Sequence, residues 1–148
     1  MPTFLRASLA LAVAAALPVF AAGNWSEPQS PIRLYGNSYY VGSAGLSSVL
    51  IDSGDGLILL DGTLPTNAPM IEANIRALGF KPADIKYILN SHAHFDHAGG
   101  IAALAKDSGA TVVVSPSGAQ ALRAGHAVAD DPQAADADGS FPAVTTPI

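Results

Sequence analysis

The sequence has 148 residues, 49% hydrophobic and 13% charged, with a formal net charge of −5. That composition suits one folded domain, at about 100–200 residues per domain. It excludes a disordered chain. Seven basic residues without a cluster exclude a nucleic-acid surface, and the absence of cysteine excludes disulfides, thiolate metal sites and a cysteine nucleophile.

The first 25 residues, MPTFLRASLALAVAAALPVFAAGNW, place one cation, Arg6, ahead of an apolar run from Leu9 to Leu17. Small residues follow at Ala21 and Ala22. The run falls short of the ~20 residues that span a bilayer. Residues 1–21 read as a secretory signal peptide, which leaves 22–148 as the working chain, with no membrane segment, in the periplasm.

GNWSEPQSP (23–31) reads as an extended arm. IRLYGNSYYVG (32–42) reads as strand, turn and strand, punctuated by Gly36-Asn37. In LSSVLIDSGDGLILLDG (46–62), two apolar runs flank Ser53-Gly54-Asp55-Gly56, the composition of a hairpin. TNAPMIEANIRALGF (66–80) spaces Ile71, Ile75 and Leu78 along one helical face, with Asn67 as cap and Gly79 as stop. IKYILN (85–90) is a short strand, 99–110 a helix ended by Gly109, and TVVVS (111–115) a buried strand. A helix follows, with Ser115 as cap and Pro116 at its first position. From Gly125 onward no period survives, and the chain reads as a long loop. Strands that alternate with helices make the class α/β.

Three of the four histidines lie within NSHAHFDHAGG (90–100), as His92-x-His94-x-Asp96-His97. Imidazole and carboxylate are ligands for zinc and related ions, and cysteine-free zinc sites are typically catalytic. His92 and His94 alternate at the end of a strand, so both can reach one metal. Asp96 and His97 lie where the chain turns toward a helix and point elsewhere, within reach of a second metal. Crowding these groups without a cation between them is costly. Gly99 and Gly100 spare room where a helix starts beside a crowded site.

Other chemistries fail on the residues. Neither G-x-S-x-G nor S-x-x-K occurs, and GDGLIL lacks the third glycine of a dinucleotide loop. Asp130 and Asp131 read as a solvated loop, His126 as structural or exposed, and Ser115 as a helix cap.

H-x-H-x-D-H between an apolar strand and a Gly-Gly helix resembles the metallo-β-lactamase superfamily. YYVGSAGLSSVLIDSGDGLILLDG, NIRALGF, DIKYILNSHAHFDHAGGIAALAKDSGA and DDPQ narrow the resemblance to subclass B3, from about Trp25 to the end. It implies an αβ/βα sandwich with the metal site at one edge between two sheets. It also implies two zinc ions, with His92 and His94 on the first and Asp96 and His97 on the second. The substrate implied is a small-molecule β-lactam, opened by hydrolysis, and Asp96 also orients the attacking water. Asp61 matches a position that braces the metal loop. The segments around Trp25 and Phe141 resemble those flanking the substrate cleft. No protein partner is implied.

The sequence departs from that pattern in one respect. In the family each zinc takes a further histidine from the second half of the domain, and His126 matches neither. The substrate-carboxylate site belongs to that half too. On this reading residues 22–148 are a partial domain, the N-terminal half of a B3 enzyme and inactive alone. Open alternatives are another hydrolase of the superfamily, a lactonase or glyoxalase II-like enzyme, and a non-catalytic metal-binding fragment.

Overall fold

A computed structural model describes residues 24–136 and 138–148; the expected signal peptide, 1–21, lies outside them. The two stretches read as hairpins form as such. β1 (Ile32–Tyr35) pairs antiparallel with β2 (Ser38–Tyr40), β2 with β3 (Val49–Asp52), and β3 with β4 (Leu57–Leu60). The β3–β4 turn is closed by Ser53 N–H donating to the Gly56 carbonyl at 3.0 Å, with Gly54 and Gly56 both at positive φ.

Beyond β4 the sheet changes character. Helix α1 (Ala68–Ala77) carries the chain back to β5 (Ile85–Leu89), which lies parallel to β4. Helices α2 (Phe95–Ala98) and α3 (Ile101–Ser108) lead to β6 (Thr111–Val113), parallel to β5. The result is one six-stranded sheet in the order β1-β2-β3-β4-β5-β6. Parallel neighbours need crossovers, and the helices supply them. The α/β class is therefore what the chain forms. No helix among the described residues is long and apolar enough to cross a membrane.

The core lies between the sheet and its helices. Leu50, Leu59 and Ile88 from the strands meet Ile71, Ile75, Ile101 and Leu104 from α1 and α3, all at most 1% exposed. The opposite face is apolar but only half-buried: Val49, Ile51, Ile58, Leu60, Leu89 and Val113 lie on it, with Tyr87 exposed. Strands that are apolar on both faces suit a sheet held between two layers.

Three sequence expectations are corrected. Asn67 stands at the N-cap of α1 but makes no capping bond; its buried side chain donates from Nδ2 to the Trp25 carbonyl at 3.0 Å. The helix expected over 99–110 forms as α3, with Gly109 at its C-cap, but Gly99 and Gly100 precede it and pack against the 62–65 segment, where a β-carbon on either would collide with Pro65 or with the Gly62 carbonyl. Their role is this close approach, not clearance beside the histidines. Phe141 was expected at the substrate cleft, yet it is only 6% exposed and belongs to the core cluster. It anchors the loop that follows α4 (Pro116–Ala124): its N–H donates to the Gly125 carbonyl at 2.8 Å. Further on, Ile148 pairs alongside β6, bonding Val112 and Val114 at 2.9 and 2.8 Å.

Candidate metal centre

The motif occupies the connection from the end of β5 to α2. His92 to His94 follow a bend at Ser91 without regular structure; Asp96 and His97 lie in the short helix, with His94, extended, at its N-cap. The turn is tied to the loop after β4. Asp61 N–H donates to the Leu89 carbonyl at 2.9 Å, Gly62 N–H to the His97 carbonyl at 2.8 Å, and Gly100 N–H to the Thr63 carbonyl at 3.1 Å. Asp61 and Thr63 both adopt positive φ, 62° and 54°. Strain of this kind in non-glycine residues clusters where a site must be held rigid.

Asp61 is the hub. Its carboxylate, buried at 8% side-chain exposure, accepts from Asn90 Nδ2 at 2.9 Å and Ser91 N–H at 2.7 Å on Oδ1. On Oδ2 it accepts from Ser91 Oγ at 2.6 Å and from His97 Nδ1 at 3.0 Å. The Ser91 hydroxyl, its proton given to Asp61, accepts in turn from His92 Nδ1 at 3.0 Å. One carboxylate thus orients His97 directly and His92 through a serine.

The rings gather more tightly than the spacing alone suggested. His92 lies 4.5 Å from His94 and 4.0 Å from His97, centroid to centroid. His97, expected to point away from His92, stands beside it. Desolvation by its neighbours holds the His92 imidazole below its ordinary pKa, and His97 and His94 push the same way, against Asp61 and Asp96. That favours the neutral ring, the form that ligates.

Can these groups take a metal? Asp96 Oδ2 stands 3.6 Å from His97 Nε2. That is too long for a hydrogen bond but close to the roughly 3.4 Å that separates two ligands of a tetrahedral zinc. Among the described residues no group of three or more His, Cys, Asp or Glu stands ready to hold one ion. The donor types fit a divalent cation, and the chain offers them in pairs.

The surroundings add one residue that sequence reasoning missed. Asp131, read as part of a solvated loop, places both carboxylate oxygens 3.0 Å from His94 Nε2. A backbone hydrogen bond from Gln133, then the bond from His94, holds its carboxyl below the usual range. Asp131-Pro132-Gln133 carried a turn signal, but nothing local links it to a histidine 37 positions away. Asp131 also lines a cleft of ≈ 220 Å³ beside the motif, with His92, Ser115, Ser117 and Val128. Trp25, 41% exposed, packs 6.1 Å from Phe95, centroid to centroid, and so borders the motif from the N-terminal arm. His126 stays apart, bonding the neighbouring Ala127 carbonyl.

The metallo-beta-lactamase superfamily model matches residues 35–142. The chain belongs to this superfamily. Solved structures bear out the resemblance to subclass B3. A B3 metallo-beta-lactamase with an active-site glutamic acid is 58% identical, with a TM-score of 0.79 over 86% of this chain and 48% of that one. Metallo-beta-lactamase MIM-1 from Novosphingobium pentaromativorans is 45% identical, with a TM-score of 0.80 over 86% of this chain and 47% of its own. The chain thus spans about half the length of these relatives. Among curated proteins, the N-acyl homoserine lactonase AttM of Agrobacterium fabrum is 63% identical over 27 residues, 18% of this chain and 10% of its own length.

Proposed function

We propose that these residues belong to an exported, zinc-dependent subclass B3 β-lactamase that hydrolyses the amide of the lactam ring and so confers resistance. The observation that carries this reading is the gathering of His92, His94 and His97 around the Asp61 network. It occurs in a chain 58% identical to a solved B3 enzyme. His92 and His94 would hold one ion, Asp96 and His97 the second. When bound, zinc supplies a Lewis acid for the lactam carbonyl and brings the pKa of water to about 7.

The chain's own residues then do the positioning. Asp61 fixes the loop and gives His97 its orientation. Asp96, beside His97, would accept a hydrogen bond from the attacking water and orient it. The cleft bounded by His92, Ser115 and Ser117 offers space beside His92, while Trp25 packs against Phe95 of the motif.

A lactonase is the second reading, favoured by the short match to AttM. A match over 27 residues, 63% identical, is only about a metal loop's length of chain, and a metal loop does not choose a substrate. The protein that carries these residues, purified with zinc, is expected to turn over nitrocefin and to lose that activity in EDTA. Lactone cleavage without nitrocefin turnover would replace the β-lactamase reading. For the 148-residue chain alone, ligands offered in pairs fall short of the three usual in catalytic zinc sites. It is expected to bind zinc weakly and turn over nothing; substantial nitrocefin hydrolysis by it overturns that expectation. Export predicts a periplasmic protein whose mature N-terminus, read by mass spectrometry, begins near Ala22.

A further inference from the structure

We infer that Asp131 is a positioning residue of the metal centre: its carboxylate fixes the ring orientation and the tautomer of His94, leaving Nδ1 as that imidazole's free lone pair. The inference rests on the reading of His94 as a metal ligand.

The geometry is specific. Both Asp131 oxygens stand 3.0 Å from His94 Nε2. A carboxylate only accepts, so Nε2 carries the proton, and in the neutral ring the lone pair falls on Nδ1. Asp131 is itself held in place. Its Oδ1 accepts from Gln133 N–H at 2.8 Å, and its own N–H donates to the Val128 carbonyl at 2.9 Å. Both side chains are largely shielded, 18% exposed for His94 and 27% for Asp131. The neighbouring Asp130 is exposed.

The arrangement completes a set. Each imidazole of the motif has an oxygen on one nitrogen: Asp61 on His97, Ser91 on His92, Asp131 on His94. Two of the three trace back to Asp61, within or just before the motif's own loop contacts. The third comes from the loop after α4, which is thereby tied to the metal loop. Oxygen partners of this kind orient ligating histidines and raise their basicity, and losing one typically costs ~10–100-fold in metal affinity.

The test uses the 148-residue chain, its Asp131→Asn and Asp131→Ala variants, and Asp130→Asn as a control. Asparagine preserves size and can keep the bond from Gln133, while turning its NH₂ toward His94 Nε2. Two measurements are made: the His94 tautomer by ¹⁵N imidazole NMR in zinc-free protein at pH 8, and zinc affinity by competition with a chromogenic chelator. The wild type is expected to show the Nε2–H form. Asp131→Asn is expected to shift it toward Nδ1–H and weaken zinc binding ~10–100-fold, while Asp131→Ala gives mixed tautomers and Asp130→Asn changes neither. A wild-type tautomer in Asp131→Asn overturns the inference alone. A shifted tautomer with unchanged zinc affinity overturns the ligand role of His94, and the inference with it. Circular dichroism of each variant separates either outcome from loss of fold.

Discussion

Asp61 and His97, 36 positions apart in sequence, meet at 3.0 Å through Oδ2 and Nδ1. The same carboxylate takes up Asn90 and Ser91, so the metal loop is suspended from one buried anion. Replacing it with alanine leaves Ser91 N–H and His97 Nδ1 without their partner. With bonds to charged groups worth ~1.5–3 kcal/mol each and not additive, Asp61→Ala is expected to cost ~2–4 kcal/mol. Asp61→Asn should cost about half of that. Asparagine tolerates the positive φ and still offers one acceptor oxygen. Urea unfolding of the two variants checks both the size and the order; equal losses would show that the charge carries the whole effect and that the retained acceptor and tolerance of positive φ add nothing.

Gly100 and Gly36 offer a matched contrast. Gly36 has φ +55° and open space around it, so Gly36→Ala is expected to pay only the left-handed penalty, about 1 kcal/mol. At Gly100 a β-carbon would strike the Gly62 carbonyl and press on Leu64, both backbone. Backbone cannot rotate away, and Gly100→Ala is expected to cost ~3 kcal/mol and to loosen the 61–63 segment. Thermal melts of the pair decide it: a Gly100 variant as stable as the Gly36 variant would remove the tight junction from the account.

The hairpins, α1, β5 and the class were legible because each is written locally, in turn residues and in two- or 3.6-residue periods. The motif was legible because four ligand types fall within six residues. What escaped was non-local. His94 and Asp131 find each other only once the loop after α4 folds back. Phe141 looked like a loop aromatic and is core, because Gly125 and Leu122 bond the returning chain. Asn67 looked like a cap and instead serves the N-terminal arm. Gly99 and Gly100 were read against the histidines, whereas their reason lies in the 62–65 backbone.

Asn74 binds that same arm. It sits within α1, buried, and its Nδ2 donates to the Gln29 and Val41 carbonyls at 2.9 and 3.0 Å. Asn74→Ala strands these acceptors, for an expected loss of ~1–3 kcal/mol. The effect should be local as well as global, because the arm carries Trp25, the chain's single tryptophan. Its emission is expected to shift red and amide exchange over residues 24–31 to accelerate. An unchanged emission maximum would mean that the Asn67 and Ser43 bonds to the Trp25 carbonyl hold the arm unaided.

Zinc should stabilise the folded chain by mass action even where it supports no turnover. A ligand at a hundred times its dissociation constant adds ~2.7 kcal/mol. At roughly 4 °C per kcal/mol for a domain of this size, the melting temperature should rise by about 10 °C. EDTA should reverse the rise. The gain depends on neutral imidazoles gathered in one place, so His92→Ala, His94→Ala and His97→Ala should each reduce it, whereas His126→Ala should not. His126 bonds its own neighbour and lies outside the ring cluster. Differential scanning calorimetry across the four variants, with and without zinc, makes the comparison. An undiminished zinc shift in the His92 and His94 variants would place the ion elsewhere, for instance among the carboxylates of the 130–138 loop, and would take the metal out of the motif.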